Sequence, residues 1–498
     1  VDLKHRLTLV LSLPLALALL HGCGGDATSA PDGADTLSDA IDGNDDLTDV
    51  MPSDGTEDPQ PDLPPPPSAR LVINEVSCRD LPTEWVEILN VGDASIDLGG
   101  MRISDSPGGR GKSLPARLLA PGERLVVQGD LGIGCETDAV YLMQLSRIVD
   151  EAPPTGGDAE VSSWGRIPDG TGDFLETIPT PQKANLALED ERSRVFDATG
   201  PMPTIDLYVD TEAEETLVNS QKTYAPGLFT WTDARGTTPP QRVDIRIKGS
   251  ITFRPWQAKP SLKLHFARHD EPGPRSFSGL KKLALHNLAY DPSAIREWLA
   301  YALMRQLGQP APRVSWALVR VNGEEKGLYG VIEPYDERFL EDHFPSTKAL
   351  YEADGDFGPG LYGFAVDEGD TMAYVEALAE RAVTARDRGY QATQWLTEVD
   401  WLAVARMMAH EDLLQHSDGM MSGCHNWFAH VDKDGLWSIM PWSADLVLIT
   451  AWGVTGPLSQ CSVLAQLCVA DEVCRAWFLR ARDEAAQLVL RGGFREPA

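Results

Sequence analysis

Basic residues are scarce in this sequence. Against 75 acidic side chains stand 43 lysines and arginines, a formal charge of −32 over 498 residues. Such a surface repels phosphate backbones and anionic lipid, which argues against nucleic acid as a partner. Any phosphate-bearing ligand would need a local basic pocket or a divalent cation. Also missing are the CxxC pairs and histidine-rich spacings that hold zinc. Residues 24–69 contain no lysine, arginine or aromatic residue, but twelve acids and a PPPP run. That composition cannot bury enough apolar area to offset its ordering entropy, so a disordered tether ending in a semi-rigid spacer is expected. Solvated linker charge is the reading of its Asp clusters, since none matches a calcium-binding loop.

The longest apolar stretch, LTLVLSLPLALALL, is 14 residues long, carries Pro14 and follows the basic VDLKHR. It is too short to span a bilayer and reads as a secretory signal. Leu20, Gly22 and Cys23 resemble a lipobox, with His21 an unusual middle residue. A lipobox would place diacylglycerol on Cys23, so residues 1–23 imply an exported protein lipid-anchored to a membrane or cell surface. Ordinary secretion with a stray cysteine is the alternative. The six other cysteines are an even number, which in an exported protein suggests disulfides. Cys78 with Cys135, Cys424 with Cys461 and Cys468 with Cys474 is the simplest pairing.

What is present begins at Arg70. LVINEV, EWVEILN, IDLGG and RLVVQG alternate apolar and polar residues between Gly, Asp and Pro turns, the pattern of a small β-sandwich. INEV at 73–76, EWVEILN at 84–90, LGGMRISD at 98–105 and SWGRIPDGTGDF at 163–174 resemble the bacterial lamin-tail domain. The resemblance covers residues 70–187 and implies an immunoglobulin-like sandwich used for binding or positioning. Glu84, Glu87 and Asp105 invite a metal reading, but structural and surface roles suit them better.

Residues 188–202 read as a second linker, and 203–492 as an α+β domain. IDLYVD, RVDIRIKG and SLKLHF are strands. DPSAIREWLAYALMRQLGQP is a helix, with Asp291 as cap, Pro292 in the first turn, and Ile295, Leu299, Ala302 and Leu303 on one face before Gly308. A hairpin turns on Asn322-Gly323, and helical spacing returns around 371–387, 395–416 and 470–490. Strands with one helix, then a helical half, suggest a two-lobed plan like that of protein kinases.

The chemistry concentrates in HSDGMMSGCHNWFAHVDKDGLWSIMPWSADL, residues 416–446. If Asp434-Gly435 is a two-residue hairpin loop, Asn426 lies opposite Ser443, give or take one residue. Asp418 and Asp445 then reach the same open end, and two carboxylates and an amide offer hard oxygens to Mg²⁺ and room for phosphate. The order Asp, Asn, hairpin, Asp is that of kinases, in which an Asp orients the hydroxyl and the Asn and last Asp hold metal. No Asp-Phe-Gly triplet follows this hairpin and no glycine-rich loop joins the early strands. Ordinary turn and cap chemistry explains each residue singly.

RIKGSITFRPWQAKPSLKLHF at 246–266, LALHNLAYDPSAIREWLAYALMRQLG at 283–308, VRVNGEEKGLYGVIEPYDERFL at 319–340 and the 416–446 stretch together resemble the CotH kinase family. That resemblance implies a kinase-like fold, ATP with Mg²⁺ or Mn²⁺, and transfer to protein Ser or Thr. It makes Asp418 the catalytic acid, Asn426 and Asp445 the metal ligands, and Lys259 the nucleotide-binding lysine with Glu297 as its anchor. Arg246, Lys248, Arg296 and Glu333 also fall at family-like positions, where structural roles serve as well. The sequence departs from the family at His425, Pro260 and Ser443, where an asparagine, a lysine and an acid are usual. Two readings therefore stand: an extracytoplasmic, membrane-tethered protein kinase with a protein substrate, or a degenerate adhesion or scaffold lipoprotein binding a surface protein partner. A metal-dependent nuclease or phosphatase is disfavoured by the charge and by the hairpin order.

Overall fold

The computed structural model of the chain describes residues 70–491, except 79–83, 135–136, 155–161, 221, 250–251, 269–272, 359–360, 362 and 449–460. The expected signal with Cys23, the tether at 24–69 and Cys135 lie outside the described residues. Cys78 is disulfide-bonded, and among the described residues Cys424 bridges to Cys461 and Cys468 to Cys474. Among the described residues no helix is long and apolar enough to cross a membrane.

The alternating runs after Arg70 pair into sheets. Leu71–Ser77 and Trp85–Asn90 lie together inside a six-stranded sheet, while Met101–Ser104 and Val140–Gln144 lie inside a four-stranded one. Ile73, Val86 and Ile88 from the first sheet meet Ile103, Val140 and Leu142 from the second in one core. On the first sheet Glu75 sits opposite Glu87 in register, and both are fully buried. The chain from Thr180 to Asn185 satisfies them. Glu75 accepts from Ser163 Oγ at 2.6 Å and Thr180 N at 2.9 Å, and Glu87 accepts from Gln182 N at 2.6 Å. Glu84 accepts from Leu131 N at 2.6 Å. Hydrogen bonding, not metal ligation, therefore accounts for Glu84 and Glu87, and Asp105 is exposed.

Burial pushes Glu75 up to about 7 from 4.5, against the hydrogen bonds of Ser163 and Thr180, which pull it down. Folded, this acid keeps a proton that the unfolded chain releases, so its contribution falls as pH rises from the unfolded value through the folded one. The sheet should lose on the order of 3 kcal/mol over that window. Glu75→Gln should flatten the slope, read as amide-exchange protection of Leu71–Ser77 at pH 4.5 and 7.5 after correction for intrinsic exchange.

Residues 188–202, expected as a linker, are integrated into the fold. Leu188–Val195 is a helix, and its Arg192 is 1% exposed. Arg192 pairs with Glu333 at 3.1 Å and with Asp342, while Arg313 also holds Glu333, at 2.7 Å. Ser315 Oγ donates to Val195 O at 2.6 Å. A run rich in charge reads as solvated, but here Glu189, Glu191, Arg192 and Arg194 meet Arg313, Arg235, Glu333, Asp342 and Asp233 farther along the chain. Glu333 is accordingly a structural ion-pair residue.

Seven strands of the next part close on themselves. In order round the ring they are Thr204–Tyr208, Val314–Val321, Glu324–Ile332, Lys282–His286, Ser261–His265, Gln241–Lys248 and Ala225–Asp233, and the last pairs back to the first. Phe229, Trp231, Ile245, Ile247, Leu262, Leu264, Leu285 and Val319 fill its interior. Alternation then turns Arg246 and Lys248, Lys263, and Ala284 and His286 to the outside. Val321 pairs with Glu324 across Asn322 at φ 50° and Gly323 at φ 81°, the left-handed pair of a tight hairpin turn.

The helix expected from Asp291 starts later, at Arg296, because Ala294 takes φ 62° and breaks the first turn. Asp291 still serves its end, accepting from Arg296 N at 2.8 Å. Its buried residues are Glu297 and Ala300 through Met304, whereas Ile295 is 48% exposed, so the expected single face is replaced by burial on several sides. The chain beyond contains a four-stranded sheet with Trp427–Val431 and Trp437–Pro441, and helices including Ala373–Arg388, Trp401–Leu414 and Glu472–Leu490.

Candidate active site

A cavity of about 510 Å³ opens between the outside of the strand ring and this second half. Arg246, Lys248, Lys263, His286 and Glu297 line one side, and Glu352, Asp354, Asp418, His425, Asn426 and Asp445 the other. Asp418, Asn426 and Asp445 are thus brought together, as the spacing predicts.

Asp418 follows helix Trp401–Leu414, which Gln415 ends in a left-handed turn at φ 54°. Glu411, on the last turn of that helix, anchors the loop by accepting from Met420 N at 2.8 Å and Met421 N at 2.6 Å. Burial raises this carboxyl to about 8, while the two backbone bonds pull it down. Gly423 passes so close that an added Cβ would lie 2.7 Å from the Asp418 carbonyl carbon. The Cys424–Cys461 bridge ties the same loop down. Asn426, directly before strand Trp427–Val431, donates to Asp418 O at 2.8 Å and Asp418 Oδ2 at 2.9 Å.

The hairpin register differs from the expected one by a single residue. Val431 pairs with Trp437 and Asp432 N donates to Leu436 O, so the loop is Lys433-Asp434-Gly435 and Asn426 faces Trp442. Gly435 supplies the φ of 90° that a three-residue loop needs. Asp445 lies in a short turn, Ala444–Leu446, just past the second strand, and Tyr301 Oη accepts from Ala444 N at 3.4 Å. Cys424, Asn426 and Ser443 all hold positive φ, near 50–60°. Such backbone is kept only where its surroundings over-determine it, and it clusters at working sites.

Electrostatically the two sides differ. Burial, then the charge of Glu297, raises Asp445 to about 7. His425 is raised by its contact with Asp418, 3.1 Å from Nε2 to Oδ1. Burial lowers Lys248 to about 8 and raises Glu297 to about 8.

Lys259 is not brought to the cavity. It precedes strand Ser261–His265, and its ammonium lies 5.0 Å from the Tyr329 ring centre while its carbonyl accepts from Asn287 Nδ2 at 3.0 Å. The lysine near Glu297 is Lys248, reached through His286. Strand alternation in RVDIRIKG and KLALHN was the signal that could have found both. Arg296 pairs with Asp291 and caps Tyr290 O, a local role. An Asp-Phe-Gly triplet does occur, at 356–358, but Asp356 Oδ2 accepts from Val463 N at 2.9 Å and Phe357 is core, so it belongs to packing.

Among the described residues no three histidines, cysteines or acids converge as a closed metal cage. Asp445 and Asn426 offer oxygens there, with Glu352 and Asp354 on the same side, and a partly desolvated acid with incomplete counter-charge suits a hard cation whose other ligands are phosphate and water. The residues present therefore fit a hard divalent cation such as Mg²⁺ or Mn²⁺.

Residues 245–466 match the family described as CotH kinase protein. The chain is 22% identical over 236 residues to "Inner spore coat protein H" of Bacillus subtilis (strain 168), covering 42% of this chain and 59% of that protein. It is 32% identical over 77 residues to "Inner spore coat protein H-like protein" of the same organism, 16% of this chain and 22% of that protein. The chain thus spans less than two thirds of the length of either relative. The family match begins inside the strand carrying Arg246 and Lys248 and contains every cavity residue named above.

Proposed function

We propose that this cleft is the active site of an atypical protein kinase that transfers the γ-phosphate of ATP to a serine or threonine hydroxyl of a protein. The observation that supports it is the opposition, across one cavity, of Arg246, Lys248 and Lys263 to the oxygen set of Asp418, Asn426 and Asp445. On a chain so acidic, a basic wall is where a triphosphate would be held. The Asp418 carboxylate would take the proton of the acceptor hydroxyl as its oxygen bonds to the γ-phosphorus and the bond to the β-phosphate oxygen breaks, releasing ADP. Asp445 and Asn426 would hold Mg²⁺ or Mn²⁺, which supplies charge neutralisation to the phosphate oxygens. We further propose that the protein works outside the cytoplasm, tethered by lipid on Cys23, with the lamin-tail-like sandwich at 70–187 presenting it to a protein partner.

A second reading has its own support. Both oxygens of Asp418 are engaged within the protein, by His425 and Asn426. An acid so occupied suits a cleft kept for binding in a surface adhesion or scaffold protein. A thermal shift separates the two, because a ligand that binds only the folded chain raises its melting point by mass action, about 2.7 kcal/mol at a hundred times Kd. ATP should raise the melting temperature only with Mg²⁺ or Mn²⁺, and Asp445→Ala should remove the rise while leaving the ligand-free melting point nearly unchanged. No rise with any nucleotide or metal would leave the binding-protein reading.

A further inference from the structure

Protein kinases commonly hold their phosphate-binding lysine with a helix glutamate. Here a ring stands between the two. His286 Nδ1 lies 2.6 Å from Glu297 Oε2, and His286 Nε2 contacts Lys248 Nζ. Lys248 and His286 sit on strands separated by Ser261–His265, with Ser261 opposite Lys248 in register. Two strand spacings, about 10 Å, separate the backbones of Lys248 and His286, and the lysine side chain spans that gap to the ring. The small Ser261 leaves room for the lysine stem to cross. Trp442 walls the group, its ring centre 4.9 Å from Lys248 Nζ and 6.1 Å from the His286 ring in edge-on contact. His286 is 7% exposed and Glu297 3%, so neither is a surface accident.

The chemistry fixes the tautomer. A lysine ammonium only donates, so the ring accepts at Nε2, and a neutral imidazole that accepts at Nε2 carries its proton on Nδ1, from which it donates to Glu297 Oε2. The ring is then neutral, in keeping with the strong lowering of its pKa by burial and by the Lys248 charge. We infer that His286 is a positioning residue that transmits the hold of Glu297 to Lys248 and so sets where the ammonium meets the nucleotide phosphates. This rests on the kinase reading above, and deepens it by assigning a residue outside the Asp418–Asn426–Asp445 set.

The test is MgATP affinity by thermal shift on the full chain. His286→Leu should weaken MgATP about tenfold or more. His286→Gln should stay within about threefold of the parent, because an amide can accept from the lysine and donate to the carboxylate. Glu297→Gln should weaken binding in the parent background but add nothing in His286→Leu, a non-additivity that a merely structural histidine would not produce. Ligand-free melting points of His286→Gln and the parent report whether the fold is intact. Parent-like MgATP affinity in His286→Leu, or losses that simply add, would overturn the relay while leaving the kinase reading standing. A parent that binds no nucleotide would overturn both.

Discussion

Asp418→Ala should lower phosphate transfer between about a hundredfold and ten-thousandfold, the span lost when a positioned proton acceptor is removed. MgATP affinity should stay within about threefold of the parent, since no phosphate-binding group is touched. The structure gives a reason to expect a clean separation. Asn426 donates to the Asp418 backbone oxygen as well as to its carboxylate, and the backbone bond survives the substitution. Glu411 and the Cys424–Cys461 bridge hold the loop independently. Asp418→Asn is the stricter control, keeping the shape while losing the base. Transfer is measured as labelled γ-phosphate incorporated into the protein itself or into a serine-rich acceptor such as casein. Parent-like transfer by both variants would remove Asp418 from the reaction.

Arg192→Met should destabilise the domain by about 3 kcal/mol, the lower end for removing one partner of a buried ion pair. Arg313 continues to neutralise Glu333, which keeps the loss from being larger. Asp342 loses its partner on the helix, and Leu188–Val195 loses its tie to Glu333, just past strand Glu324–Ile332. The melting temperature should fall, and limited proteolysis should open new cuts near residues 196–203. Arg320→Ala supplies the contrast. Its bonds to Asp206 are 2.6 and 2.7 Å, geometrically as good, but the pair is 47% and 32% exposed. Solvent screening should keep its effect well below that of Arg192→Met, with a melting temperature close to the parent's. Equal losses from the two variants would show that burial is not what gives the Arg192 contact its strength.

Local signals carried much of this structure. Asn322-Gly323 announces its turn because two left-handed residues are needed there, and few other pairs supply them. The convergence of Asp418, Asn426 and Asp445 is legible because a hairpin brings its two outer ends together whatever its exact loop. The cysteine pairs within residues 424–474 follow from proximity along the chain. What escaped depends on distant partners. Local alternation, with Val243, Ile245 and Ile247 inside, turns Lys248 outward, but that this outer face, and not Lys259, meets the cleft depends on where the second half of the chain packs. The helix after Asp291 loses its first turn to Ala294, whose backbone is dictated by surroundings rather than by residue type. Leu188–Val195 passes for a linker because the charges it needs lie at Asp233, Glu333 and Asp342, far along the chain.

A ring of strands has no end from which to fray. An open sheet can peel from its outermost strand, shedding one ladder at a time, whereas each of the seven strands here is held on both flanks. Detaching any one of them breaks two ladders at once, so the wall that carries Lys248, Lys263 and His286 should open as a unit or not at all. Native-state exchange would show this as a common protection factor shared by central amides of all seven strands, set by one cooperative opening rather than a gradient from edge to centre. Whatever the cleft binds would then meet a wall that moves only as a whole.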